Sequence, residues 1–237
     1  LTYAGPVVLF FAEPHLQVNL ADLRTLLEDF EQIIVPTVRE FFGHEWSPGI
    51  DGDPRIYILY AEGLGGSVAG YYSPTDEYSR IAHEYSNEKE MFYLNADIIS
   101  VDDPGLPGTL AHEFQHMVHW ANDSNEETWM NEGASVLSEL LTGHHPGGFD
   151  LAFAVNPDLQ LNAWSNTGGG PESVPHYGAA FLFLDYFLER FGESATRALV
   201  AHQANGLTAM DAVLQQLNII DPLSGNPINT DTVFQDW

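Results

Sequence analysis

The sequence predicts an α+β fold, with a small sheet near the N-terminus and helices after it. Three observations carry this expectation. Short apolar runs bounded by Gly and Pro dominate the first 95 residues, one long helical period interrupts them, and past residue 108 apolar residues recur at helical spacing. Strands first and helices later is the order of an α+β chain.

Pro6-Val7-Val8-Leu9-Phe10-Phe11 is β-branched and aromatic, which predicts a strand. A long helix follows, with Asn19 as its N-cap. Leu23, Leu26, Leu27, Phe30, Ile33, Ile34, Val38 and Phe41 keep one face until Gly43, and Pro36 is expected to kink it. A turn over 47–54 leads to a strand at 55–60, a glycine-rich turn at 63–66, a strand at 68–72 and a third at 91–95. After the Pro/Gly-rich link 103–108, helices are expected near 109–122, 126–142, 177–191 and 207–217. Ser124 and Glu127 have the S-x-x-E spacing of a capping box for the second of these. Residues 143–175 hold three adjacent glycines and no sustained period, so they read as irregular loop. The expected division is 1–122, a subdomain of sheet and helix, and 123–237, a helical subdomain, together one unit with the cleft between.

Composition narrows the function. The 34 acidic residues against 7 basic ones give a net charge of −27 in 237 residues, and the acids are scattered in no block. Nucleic acid and anionic membrane surfaces are thereby disfavoured as partners, because both are bound through Lys and Arg. No stretch approaches the roughly 20 apolar residues of a membrane span. With no cysteine, any metal must use His and carboxylates. The N-terminus lacks a charged region followed by an apolar run, so an export signal is expected to lie outside this sequence.

The strongest chemical signal is His112-Glu113-Phe114-Gln115-His116, an H-E-x-x-H pattern on a segment that reads independently as helix. At about 100° per residue, His112 and His116 project from one face a turn apart, where both can reach one zinc ion. Leu110, Phe114, Met117 and Val118 fall opposite and are expected in the core. Thr128-Trp129-Met130-Asn131-Glu132-Gly133 offers the third ligand, Glu132, from the next helix. Two His and one Glu leave one position open, the catalytic arrangement.

H-E-x-x-H followed by W-x-N-E-G resembles the gluzincin metallopeptidases, the group that contains thermolysin, and within it the hyicolysin-like peptidases. Val68 to Tyr72, Asn87 to Tyr93, Leu110 to His119 and Tyr177 to Ala180 support the likeness over much of 55–190. The resemblance implies a zincin-like fold and a secreted, Zn2+-dependent endopeptidase acting on protein or peptide. In that mechanism Glu113 is the general base. Tyr177, with His176 second, is the candidate oxyanion donor. Ala69 and Gly70 lie on the strand expected to pair with substrate, and a bulge is an equal account of them. His119 is expected to line the cleft. It does not complete the metzincin pattern, because Asn122 stands where that pattern has its His. Glu139, two turns beyond Glu132, and Ser135 are candidates for the layer behind the ligands, although a solvated Glu139 is the simpler reading.

Asp51-Gly52-Asp53 and Asp102-Asp103 are candidates for calcium, yet neither forms a full EF-hand loop and turn chemistry accounts for both. Two rival functions stay open. Aminopeptidases of the same group share W-x-N-E-G, but their G-x-M-E-N motif has no counterpart in Gly70-Tyr71-Tyr72-Ser73-Pro74. A non-catalytic zinc or adhesion module is disfavoured by the intact Glu113. The C-terminal Phe234-Gln235-Asp236-Trp237 has no clear stop signal, which leaves room for further domains in a larger parent chain.

Overall fold

In the computed structural model, the described residues are 1–65, 68–144, 147–164 and 172–237. The chain divides into two compact units. Unit 1 comprises Leu1–Ala121 and Ser138–Gly147, and unit 2 comprises Asn122–Leu137 and Gly148–Trp237.

Unit 1 is built on a five-stranded mixed sheet of β1 (Tyr3–Ala4), β2 (Val8–Ala12), β3 (Ile56–Ala61), β4 (Gly70–Tyr72) and β5 (Met91–Asn95), in the order β1-β2-β3-β5-β4. The three central strands are parallel and both edges antiparallel. Along β3, Ile56, Ile58 and Tyr60 are buried while Tyr57 and Leu59 are half-buried, the period of two that a pleated strand imposes. The register sets Phe10 beside Ile58 and Ile58 beside Phe92, all fully buried. Phe30 packs edge-on against both Phe92 and Phe114, so the sheet's inner face meets two helical segments.

The long N-terminal helix forms as three pieces. α1 (Leu20–Asp29) starts where the Asn19 side chain accepts the Ala21 N–H at 2.9 Å, a π-helical turn spans Phe30–Ile34, and α2 (Val35–Phe42) carries Pro36 in its first turn. The expected kink is thus a widened turn. Proline has no N–H to give and its ring clashes with the carbonyl four residues back, and a π turn relieves both.

The strand expected at 68–72 is shorter, reduced to Gly70–Tyr72, and the chain beyond it turns through a 3-10 segment at Pro74–Glu77. Gly66 of the expected glycine-rich turn lies outside the described residues. α3 (Leu106–Asn122) begins three residues earlier than its apolar period suggests. Pro107 is accommodated because a helix's first N–H groups have no partner within the helix. Leu110, Phe114, Met117 and Val118 are fully buried, as expected of the face opposite the histidines.

α4 (Thr128–Leu141) runs from unit 2 into unit 1. Its first turn is closed by the Glu127 carbonyl, which accepts the Asn131 N–H, so the cap falls at Glu127 and not at Ser124. Unit 2 also holds α5 (Phe149–Val155), α6 (Val174–Phe191), α7 (Glu193–Val200), α8 (Gly206–Gln216) and α9 (Thr230–Asp236). α5 lies inside the segment read as irregular loop, and the glycines at 168–170 lie outside the described residues. Two glycines set the packing of helices in unit 2. A Cβ on Gly178 would meet the Phe149 carbonyl oxygen at 2.0 Å, and one on Gly133 would meet the Ala180 backbone at 2.9 Å. Helices this close leave no room for a methyl group.

Candidate metal centre

α3 carries His112 and His116 four residues apart, and their rings stand edge to face at 4.8 Å between centroids. Glu132 comes from α4. Each of the three offers one ligand atom, these atoms all lie within 4.8 Å of one another, and all three residues are half-buried. Among the described residues this is the group of three or more His and carboxylates placed to hold a metal ion.

The tail of α4 lies along the first half of α3: Ser138 donates its hydroxyl to the Ala111 carbonyl at 3.0 Å, and Glu139 Oε1 is 3.0 Å from His112 Nδ1. Glu132 and Glu139 are two helical turns apart on one face of α4. Glu139 is only 6% exposed, which corrects its reading as a solvated acid. A carboxylate can only accept, so His112 Nδ1 donates and Nε2 is the ring nitrogen that carries the lone pair. Two imidazole nitrogens and a carboxylate oxygen form the donor set of a zinc ion with an open position.

Glu113 is 6% exposed and sits one residue, about 100°, around α3 from His112. Ser135 is fully buried and donates to the Asn131 carbonyl of its own helix at 3.1 Å. Sequence reasoning missed Ser138, whose only signal was a small polar residue beside a candidate acid.

His119 does not line an open surface. It is 0% exposed, and Gln115 Nε2 donates to its Nδ1 at 3.3 Å. Burial, with His116 nearby, depresses its pKa to about 4, so it is a neutral core histidine. On α3 it shares the ligand face, about 20° around from His112 and two turns along, and it is covered there instead of open.

β4 is an edge strand of the sheet. The Ala69 carbonyl accepts the Asn95 N–H at 2.8 Å, so it is spent on the sheet. A Cβ on Gly70 would meet the Tyr93 carbonyl oxygen at 2.9 Å and Thr109 Cγ2 at 3.1 Å. Gly70 is therefore small because α3 and β5 crowd it, which accounts for the residue without a substrate. Alternation along an antiparallel pair turns the backbone groups of Gly70 and Tyr72 outward, away from β5.

Tyr177 and His176 occupy the first turn of α6 in unit 2. Tyr177 stacks on Phe149 at 5.1 Å and meets the Trp164 ring edge-on at 4.9 Å, while His176 lies 5.7 Å from Trp164.

The acids considered for calcium are engaged in turns. Asp51 accepts from Lys89 Nζ at 2.6 Å and the Asp53 N–H at 2.8 Å, and Asp53 pairs with Arg55. Asp102 accepts from Ser100 at 2.6 Å and Asp103 from the Gly105 N–H at 2.8 Å.

No protein-family model matches the chain. It is 25% identical over 216 residues to the neutral metalloprotease ShpI of Staphylococcus hyicus, a match that covers 80% of this chain and 47% of that protein. The chain thus spans about half the length of the curated relative it matches. A metalloprotease relative and a His-His-Glu group together support a metal-dependent hydrolase.

Proposed function

We propose that this chain is the catalytic part of a secreted zinc-dependent endopeptidase of the gluzincin group and zincin fold, most like the hyicolysin peptidases. The observation that carries the reading is the convergence of His112, His116 and Glu132, with Glu139 behind His112. Residues 1–122 and 123–237 both contribute to the catalytic unit.

Zinc supplies Lewis acidity, polarising the scissile carbonyl and lowering the pKa of a water to roughly 7. The chain does the rest. Glu139 keeps the His112 proton on Nδ1 and so keeps Nε2 available. Glu113, a largely buried carboxylate in the H-E-x-x-H turn, accepts the proton of the attacking water and returns it to the leaving amine. Tyr177, or else His176, donates a hydrogen bond to the oxyanion. The outward N–H and C=O groups of Gly70 and Tyr72 pair with an extended peptide by adding a strand to the sheet edge.

The acids near β4 favour an endopeptidase over an aminopeptidase. Asp76 accepts from Asn87 and Tyr93, and Glu77 accepts from Tyr72 at 2.6 Å, so neither is turned outward to take a free amino terminus.

Casein cleavage by the zinc-loaded protein and by Glu113→Gln tests the reading. We expect cleavage to fall at least about a hundredfold in the variant with zinc retained. Equal cleavage by both refutes the role of Glu113, and cleavage by neither favours a non-catalytic zinc module.

A further inference from the structure

The connection between α3 and α4 carries Asp123, Glu126 and Glu127, and it is fastened within unit 2 to the loop before α8. Gln203 Nε2 donates to the Asn122 carbonyl at 2.9 Å, Asn205 Nδ2 to the Asn125 carbonyl, and the Gly206 N–H to Glu126 Oε1 at 2.8 Å. Glu127 accepts the Trp129 indole N–H at 2.8 Å, and its carboxylate lies where a Cβ on Gly206 would stand.

Two oxygens in this connection are unaccounted for. Asp123 is 3% exposed, and its Oδ2 has neither solvent nor a hydrogen-bond partner, while Oδ1 takes only a long 3.3 Å bond from the Asn125 N–H. Glu126 Oε2 is likewise buried without a partner. Burial pushes the Glu126 carboxyl above the usual range; the Glu127 and Gly206 N–H groups pull against it, and the negative Asp123 and Glu127 add to the rise. A buried anionic oxygen without a donor or counter-charge is strongly disfavoured, the more so in a chain of net charge −27. Water can donate to both oxygens but leaves the charge in place. A hard divalent cation neutralises it and takes carboxylate, carbonyl and water oxygens together.

We propose that Asp123 and Glu126 form a second cation site, of the calcium class, that fastens the α3–α4 connection to the loop before α8. Its all-oxygen donor set distinguishes it from the His-His-Glu group, and the proposal stands whether or not the chain is a peptidase. Calcium sites with few carboxylates bind in the range of roughly 0.1 to 1 mM, as in extracellular modules.

Terbium is the probe, because Trp129 sits against Glu127 and can sensitise its emission. In the zinc-loaded protein we expect tryptophan-excited terbium emission that calcium displaces. Asp123→Asn and Glu126→Gln should weaken terbium binding at least tenfold, and Asp51→Asn should leave it unchanged. Melting separates a cation site from plain structural damage. Without calcium both variants should melt at or above the wild-type temperature, since each removes a repulsive buried charge, and with calcium only the wild type should gain. Absent emission, emission indifferent to Asp123→Asn and Glu126→Gln, or variants that melt lower in calcium-free buffer would each overturn the proposal.

Discussion

Glu77 is a carboxyl held at 5% exposure, bonded by the Tyr72 hydroxyl at 2.6 Å. Burial is the main influence on it; Tyr72 pulls its pKa down, and Glu90, Glu45 and Asp76 add to the upward push, leaving it raised from 4.5 to about 7. The folded chain therefore binds more protons than the unfolded chain between those values. Stability falls as pH rises from 4.5 to 7, and the full penalty persists above that. Glu77→Gln keeps an acceptor for Tyr72 and removes the charge. We expect it to unfold at higher urea than the wild type at pH 8, by on the order of 1–3 kcal/mol, and equally at pH 4. A variant less stable at pH 8 would show that the ionised carboxylate is favourable where it sits. Individual side chains were the least legible level of the sequence. His112, His116 and Glu132 announce themselves by spacing, but the burial of His119 and the engagement of Glu139 depend on how α3 is rotated against its neighbours, which no local pattern encodes.

Elements were legible where they are long or strongly periodic. β5 forms at the predicted residues, and the four expected helices beyond residue 108 all form, with no end moved by more than three residues. α5, α7 and α9 escaped because each is only two turns long, too short for a helical period to declare itself. α5 exists through its fit against α6, and that fit centres on Gly178. Gly178→Ala forces a methyl group against the Phe149 carbonyl at 2.0 Å, a contact with backbone that no rotamer change relieves. We expect a loss of roughly 1–3 kcal/mol in chemical denaturation, against the small gain alanine gives in an open helix. An unchanged midpoint would mean that α5 moves away from α6 at little cost. The Tyr177 to Ala180 segment that supports the family likeness is thus, at Gly178, a packing requirement.

For the whole molecule, the net charge of −27 acts on stability as well as on partners. With 34 acidic and 7 basic residues, repulsion dominates, and salt relieves it. Between about 0.01 and 0.1 M sodium chloride the screening length falls from roughly 30 to 10 Å, and we expect the melting temperature to rise by several degrees. A fall on adding salt would show that attractive pairs such as Arg55 with Asp53 outweigh the repulsion. Both units carry candidate residues, with His112, His116 and Glu139 in the first and Glu132, Tyr177 and His176 in the second, and the single helix α4 spans the two. The most direct test of the central claim is the zinc content of protein stripped by chelator, reloaded and analysed by elemental mass spectrometry, beside His116→Ala and Glu132→Ala. The expected result is one zinc per wild-type chain, none in His116→Ala, and affinity reduced at least about tenfold in Glu132→Ala, with all three folded by circular dichroism. Full zinc occupancy with unchanged affinity in both variants would contradict it.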